Sequence, residues 1–279
     1  MVKIVADTTS GLPREMMKSL DIPLIPQIVI FGEESFRDDT ELDTAAFLAK
    51  LKACRELPKT AAPPPAMYTP IFKEAGLKDE CVIVIAPSAK VSGTVRAAEV
   101  AAQDFPGVDV RVVDSLSVAG NLASLVLLAD EWAKSGVDAD TIVHRLDDWI
   151  GRGRIYFLVN TFEYLQKGGR IGGAKALIGT MLQVKPILCL RDGQVEPFEQ
   201  QRTKKRALAR IIEIVEDQCP ASPQSHLCVM QADAMPEAEE LVAELKSRLK
   251  LTFIPIYELP PAIVVHGGPG VLAVGFFVR

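Results

Sequence analysis

Short apolar runs that alternate with amphipathic stretches are the feature that most limits what this chain can fold into. Each run is bounded by turn formers or charged residues, as buried strands are. We predict strands at Val2–Ala6, Ile25–Ile30, Cys81–Ala86, Val108–Val113, Ile155–Val159, Ile187–Leu190, Ile254–Tyr257, Ala262–Val265 and Val271–Phe277. Apolar residues at helical spacing predict helices at Thr44–Lys52, Gly93–Asp104, Ala119–Lys134, Ala139–Arg152 and Lys204–Glu216. Strands that alternate with helices imply an α/β architecture with parallel strands.

Two breaks interrupt this alternation. The proline-rich stretch Leu57–Pro70 cannot form a long helix or a central strand, so we predict a crossing loop. A glycine-rich segment at Asn160–Gly173 follows a predicted strand, and we place a domain boundary there. Because domains usually hold roughly 100–200 residues, the sequence of 279 residues predicts two α/β domains, at 1–159 and 160–279.

Composition and charge exclude several classes of protein. The net charge is −5 and no sustained basic run occurs, so the chain is not expected to bind nucleic acid. The acidic Asp7 follows only a few apolar residues, which argues against a signal peptide, and no stretch approaches the roughly 18 apolar residues of a membrane span. The five cysteines form no CxxC pair and are interpreted as reduced thiols. We therefore expect a cytoplasmic protein.

Polar turns follow two of the predicted strands. Asp7–Ser10 comes directly after the first strand, where ligands of open α/β sheets bind, although these residues also suit the N-cap of a helix with Pro13 in its first turn. Ser88–Thr94 precedes a predicted helix, and free N–H groups with nearby hydroxyls can hold a carboxylate or a phosphate. A cap without a ligand is the alternative for this segment.

Two glycine-rich segments were considered as sites. Lys167–Lys175 contains GxxxxG, but Ala174 occupies the lysine position of a phosphate loop and Ala176 leaves no hydroxyl for Mg²⁺, so a nucleotide site of that type is excluded. The segment is a basic turn, which either contacts a partner or an anion or is simply solvated. We interpret His266–Gly270 as a hairpin turn, which explains its glycines but not its histidine.

Neither an esterase nor a zinc site is predicted. The chain contains no G-x-S-x-G nucleophile turn, and neither His144 nor His226 has cysteine or histidine neighbours at metal-ligand spacing. The residues alone thus indicate binding rather than catalysis.

Several short segments, taken in order along nearly the whole chain, carry a resemblance to a known family. They are Val5–Thr9, Gly11–Pro13, Pro58–Thr60, Val91–Thr94, Val113–Ser115, Tyr164–Ile171, Val184–Ile187, Asp192–Gly193, Arg202–Lys205 and His266–Gly270. This ordered set resembles the DegV family of fatty-acid-binding proteins, which includes the fatty-acid-carrying subunits of bacterial fatty acid kinase. The chain departs from the family pattern at Ala61 and Ala89, where hydroxyl residues are usual.

The resemblance implies a fold and a binding site. Two α/β domains are expected, with an apolar ligand tunnel whose polar end lies near their junction. One long-chain fatty acid is expected to bind there, with its carboxylate on Thr60, Ser92 and His266. Residues beside these are secondary candidates: Asp7, Gly93, Thr94 and Gly267.

The resemblance also implies a role. The chain is expected not to be an enzyme and to need neither metal nor cofactor. A separate ATP-dependent kinase subunit would phosphorylate the bound carboxylate to an acyl phosphate, with Lys167, Arg170 and Arg202 as candidate contacts to that partner. Lipid exchange would allow transient contact with a membrane.

Two alternatives stay open beside this role. The first is a free-standing enzyme for a small anionic metabolite or phosphoester, with Asp7 as base or nucleophile and His266 as acid. The second is a lipid sensor or store without a kinase partner.

Overall fold

The strands form three sheets, and helices cover the larger two. A computed structural model describes residues 1–179 and 184–279. The strands are β1 Val2–Asp7, β2 Leu24–Ile25, β3 Ile28–Phe31, β4 Glu34–Arg37, β5 Lys59–Ala61, β6 Cys81–Ala86, β7 Val110–Asp114, β8 Gly153–Leu158, β9 Lys185–Arg191, β10 Gln194–Gln201, β11 Cys228–Gln231, β12 Ile256–Glu258 and β13 Leu272–Phe277. The α-helices are α1 Arg14–Ser19, α2 Thr44–Ala53, α3 Thr69–Lys78, α4 Thr94–Gln103, α5 Ala119–Lys134, α6 Ala139–Arg152, α7 Glu163–Lys167, α8 Lys204–Gln218, α9 Met235–Leu249 and α10 Pro261–Gly267.

The first sheet is parallel and has the order β2-β1-β6-β7. Its two faces have separate cores: Ile83 and Ile85 of β6 pack with α5 and α6, whereas Val82 and Val84 pack with α3 and α4. Burial on both faces explains why β6 is apolar along its length. The predicted α/β arrangement is confirmed here, and α5 and α6 have the predicted bounds.

The six-stranded sheet has the order β10-β9-β8-β13-β11-β12 and is mostly antiparallel. Only β11 and β12 pair in parallel, so the prediction of parallel strands is wrong for this sheet. Part of the reason is local: Asp192 and Gly193 both have positive φ, which suits a two-residue hairpin between β9 and β10. Helices α8 and α9 cover one face.

The third sheet is small and antiparallel, with the order β4-β3-β5, and it contains only part of the predicted strand at Ile25–Ile30. That run is two strands, because β2 joins the parallel sheet and β3 joins the small one. Pro26 and Gln27 separate them. Pro26 has no N–H to continue a ladder, and the Gln27 N–H donates 2.8 Å to Asp38 Oδ1 instead.

The predicted strand at Ala262–Val265 is wrong, since these residues lie in helix α10. A four-residue apolar run does not distinguish strand from helix, and Pro261 at the first turn favours the helix. His266 therefore stands in the last turn of a helix and not in a hairpin. The division at 159/160 stays a prediction; β8, just before it, pairs with later strands of the six-stranded sheet.

Candidate functional site

A cavity lies between the small sheet, α10 and one face of the six-stranded sheet. The space between protein atoms in and around it is about 990 Å³, which includes open solvent. Most lining side chains are apolar, among them Ile155, Phe157, Leu190, Val195 and Met230. Its polar lining residues are Thr9, Gln27, Thr60, Ser92, Arg170 and His266.

Thr60 and His266 form one polar wall of this cavity, the His266 pair. Thr60 is on the edge strand β5, and its Oγ1 lies 2.8 Å from His266 Nε2. His266 Nδ1 is buried and has no hydrogen-bond partner among the residues that the structure describes. Burial, together with the nearby charge of Arg170, lowers the pKa of His266 to about 4, so its imidazole is neutral at pH 7.

Close backbone approach fixes the His266 ring. A Cβ atom at Gly168 would lie 2.2 Å from His266 Nδ1 and 2.9 Å from the carbonyl oxygen of Tyr164. Only glycine lets the turn after α7 pack against α10 at this distance. The segment Tyr164–Ile171 thus has a glycine at position 168 for a steric reason.

Ser92 belongs to a second polar wall, at the start of α4. Ser92 Oγ lies 2.8 Å from Thr94 Oγ1, and Gly93 is the N-cap residue of the helix. Thr94 is fully buried and accepts 2.9 Å from Gln27 Nε2, which also donates 2.5 Å to Asp7 Oδ2. We call Asp7, Thr9, Gln27, Asp38 and Thr94 the Asp7 network.

Two buried carboxylates support this network. Asp7 accepts from the Thr9 N–H at 3.0 Å and so caps the short 3-10 helix Thr8–Ser10, and not, as predicted, the helix that has Pro13 at its start. Burial raises the pKa of Asp7 to about 6. Asp38 accepts 2.7 Å from Thr8 Oγ1 and, as above, from the Gln27 backbone. Burial, with the nearby charge of Asp7, raises the pKa of Asp38 to about 7. Asp7 itself does not line the cavity.

The structure brings the three head-group candidates to one cavity. Thr60, Ser92 and His266 all line it, as do Gly93 and Gly267. Two further candidates, Asp7 and Thr94, lie behind the wall and bond to residues in it.

The three basic candidates are placed differently from one another. Arg170, a candidate contact to a partner, is half-buried and lines the cavity, because its guanidinium donates to the carbonyl oxygens of Val91 at 2.9 Å and Gly168 at 2.8 Å. Lys167 is exposed and ion-paired with Glu163 at 2.7 Å. Arg202 is exposed beyond β10 and does not line the cavity.

A second groove adjoins the cavity and is mainly basic at its edges. Arg55, Lys59 and Lys167 line it, and it shares Thr60, Arg170 and His266 with the cavity. The His266 pair is thus accessible from two sides.

Sequence reasoning missed Gln27 and Asp38. Gln27 was counted within a predicted strand, and Asp38 follows an unpredicted one. The signal for Gln27 was the proline and amide inside an otherwise apolar run. Asp38 has no comparable signal, because only the fold brings it to the Gln27 backbone.

The described residues 1–179 and 184–279 contain neither a metal-binding cluster nor a membrane-spanning helix. No set of three or more histidine, cysteine or acidic side chains is placed to hold a metal ion. No helix has both the length and the apolar character needed to cross a bilayer.

Fold and cavity together define an α/β protein built around a mainly apolar cavity. A model of the DegV family, described as uncharacterised proteins, matches residues 1–279. The chain therefore belongs to the DegV family.

Similar proteins extend over the whole chain. A DegV domain-containing protein of Halalkalibacterium halodurans is 32% identical over 279 residues, covering 100% of this chain and 99% of its own. The crystal structure of DegV from Bacillus subtilis, a fatty acid binding protein, has a TM-score of 0.90 at 32% identity and covers 100% and 99% of the two chains. A DegV family protein from Thermus thermophilus, solved for its fatty acid binding, has a TM-score of 0.86 at 30% identity and the same coverage.

Proposed function

We propose that this chain binds one long-chain fatty acid in the cavity and presents the carboxylate to a separate kinase subunit. The observation that carries the proposal is the convergence of Thr60, Ser92 and His266 on one mainly apolar cavity. The fatty acid binding of the Bacillus subtilis and Thermus thermophilus relatives supports the choice of ligand.

The apolar wall would supply most of the affinity. At about 0.8 kcal/mol per buried CH₂, a tail of roughly 14 methylenes gains about 11 kcal/mol. Association costs about 4–15 kcal/mol. The polar end would then chiefly fix the orientation of the acid.

The polar groups suit a carboxylate that must stay reactive. The hydrogen bond between Thr60 and the neutral His266 uses one of the two hydrogens of this pair, so the pair can donate one hydrogen bond to a carboxylate. The Ser92 hydroxyl can donate another, and neither donor adds a charge. Arg170 adds one positive charge to the lining, but its guanidinium is already bonded to two carbonyl oxygens. A carboxylate oxygen held mainly by neutral donors keeps its nucleophilic character.

The basic groove supports the choice of partner. Arg55, Lys59 and Lys167 edge it, and it reaches the His266 pair from outside the cavity. An ATP-bound kinase subunit carries phosphates that such a groove attracts. Transfer of the γ-phosphoryl group of ATP to a carboxylate oxygen would form an acyl phosphate and release ADP.

The alternative of a free-standing enzyme has less support. Its base, Asp7, is 1% exposed, does not line the cavity, and already accepts hydrogen bonds from Thr9 and Gln27. A buried carboxylate with those partners is poorly placed to attack a substrate.

Mass spectrometry tests the central claim. Native spectra of the purified protein should show one added mass per chain, and an organic extract should identify it as a fatty acid. A chain that neither retains nor takes up fatty acid would contradict the proposal. A nucleotide or sugar phosphate in the extract would favour the enzyme.

Measurements of ATP hydrolysis test whether phosphoryl transfer needs a separate kinase subunit. The isolated chain should not hydrolyse ATP, and acyl phosphate should form only when a kinase subunit is added. Rapid ATP hydrolysis by the isolated chain, lost in Asp7→Asn, would overturn the assignment.

A further inference from the structure

Gln27 is a buried polar residue of the cavity lining that the proposed function does not use. It is 3% exposed and follows β2 at the point where the chain passes from the parallel sheet to the small one. Its side-chain amide touches both Asp7 and Thr94. The hydrogens of this amide determine what Ser92 can offer to a ligand.

The hydrogens can be counted. Gln27 Nε2 carries two, and they go to Asp7 Oδ2 at 2.5 Å and to Thr94 Oγ1 at 2.9 Å. Thr94 therefore acts as an acceptor towards Gln27. Its single hydrogen has two candidate acceptors, Ser92 Oγ at 2.8 Å and Asp7 Oδ2 at 3.3 Å.

Gln27 decides between these two acceptors. Because Asp7 Oδ2 already has the short bond from Gln27, the Thr94 hydrogen goes to the nearer Ser92 oxygen. Ser92 then accepts from Thr94, and its own hydrogen is free to point into the cavity.

Removing the Gln27 amide would reverse the direction of the hydrogen bond between Thr94 and Ser92. Asp7 Oδ2 would lose its short bond inside the protein, where an unpartnered acceptor is costly, and Thr94 would donate to it. Ser92 would then donate to Thr94. No Ser92 hydrogen would remain for a ligand.

We propose that Gln27 is a positioning residue that keeps the Ser92 hydroxyl as a donor to the ligand carboxylate. The inference rests on the proposed function, since it presumes a carboxylate at Ser92. Gln27 acts through Thr94 and need not touch the ligand.

A double-mutant cycle on the full chain tests this role. Gln27→Met keeps the size of the side chain and removes its hydrogens. We would measure binding of [1-¹³C]palmitate to lipid-stripped protein by calorimetry, and the carboxyl ¹³C shift of each complex by NMR. Gln27→Met should weaken binding about tenfold, the effect of one lost bond to a charged group.

Non-additivity is the outcome that separates positioning from simple packing. Gln27→Met with Ser92→Ala should bind palmitate no more weakly than Ser92→Ala alone, and both should give the same ¹³C shift. Gln103→Met, on the exposed end of α4, should bind like the wild type. Additive losses, or a wild-type ¹³C shift in Gln27→Met, would overturn the proposal.

A second variant serves if Gln27→Met does not fold. Thr94→Val removes the hydroxyl that competes for the Ser92 hydrogen, so binding should stay within about twofold of wild type, because the bond to the carboxylate is kept. A loss as large as that of Ser92→Ala would overturn the role. Failure of the wild type to bind palmitate would instead refute the proposed function.

Discussion

The two polar walls of the cavity are built in different ways. In the Asp7 network, several hydrogen bonds join residues from β1, β2–β3 and α4, although Asp38 Oδ2 is buried without a partner among the described residues. The His266 pair has a single side-chain hydrogen bond and leaves Nδ1 without a partner among the described residues. The first wall is held by polar contacts, and the second is held by packing against Gly168.

Burial favours the neutral form on both walls, with opposite effects on pKa. It raises the pKa of Asp7 and Asp38 and lowers that of His266. The two walls should therefore respond in opposite ways to acid, and they should fail by different routes when mutated.

Overpacking the second wall should have the largest effect. In Gly168→Ala the new methyl group overlaps His266 Nδ1 and the Tyr164 carbonyl, so the ring must leave Thr60. We expect a loss of about 3 kcal/mol in unfolding free energy, near the upper end for inserting a group into a packed core. Urea denaturation measures it, and lipid occupancy should fall in parallel.

Gly151→Ala is the matched control for that change. Gly151 lies in α6, and nothing stands within 4 Å of the added methyl group. Its stability should equal or slightly exceed that of the wild type. If both variants behaved alike, packing at Gly168 would not be what holds His266.

The second largest effect should be a difference between the two walls in how stability depends on pH. His266 has a folded pKa of about 4, below its usual 6.5, so its contribution is present above pH 6.5 and is lost as pH falls through 4. Relative to His266→Gln, the lipid-free wild type should lose about 2–3 kcal/mol between these limits. Urea denaturation at several pH values gives the difference directly.

The contribution of Asp38 to stability should change with pH in the opposite direction. Its folded pKa is about 7, raised from 3.8, so its protonation adds stability that is full below pH 3.8 and lost as pH rises through 7. Relative to Asp38→Asn, the wild type should thus gain stability as pH falls from 8 to 4. Equal slopes in the wild type and both variants would contradict the comparison.

Sequence patterns predicted the first wall better than the second. The turns after β1 and β6 were identified because polar residues follow long apolar strands there, and the helices α5 and α6 were predicted to the residue. At the second wall, the short run Ala262–Val265 gave no period that separates helix from strand. The contact of His266 with Thr60 joins residues 206 positions apart, so only the fold or the family resemblance could pair them.

Truncating one donor on each wall should cost less than overpacking. Ser92→Ala removes one donor from the bound carboxylate, and His266→Ala removes the hydrogen bond that positions the Thr60 hydroxyl. We expect each change to weaken fatty acid binding by about 1–3 kcal/mol. Calorimetry on lipid-stripped protein measures this, with Ser19→Ala on the exposed end of α1 as the control. Binding unchanged in both variants would mean that the carboxylate lies elsewhere.

The smallest effect is expected outside both walls, at Arg202. This side chain is exposed and does not line the cavity, so Arg202→Ala should leave fatty acid occupancy unchanged. A charge at the rim of an interface contributes about 0.2–1 kcal/mol, which predicts a loss of about 1.4- to fivefold in association with a kinase subunit, mostly in the on-rate. Arg170 cannot serve in this test, because it lines the cavity and bonds to Val91.

Arg96→Ala, exposed on α4, is the matched control and should associate like the wild type. Stopped-flow association at low and high salt would measure the on-rate, and mass spectrometry would measure occupancy. Loss of lipid in Arg202→Ala, with association unchanged, would place Arg202 in ligand binding and remove it from the partner surface.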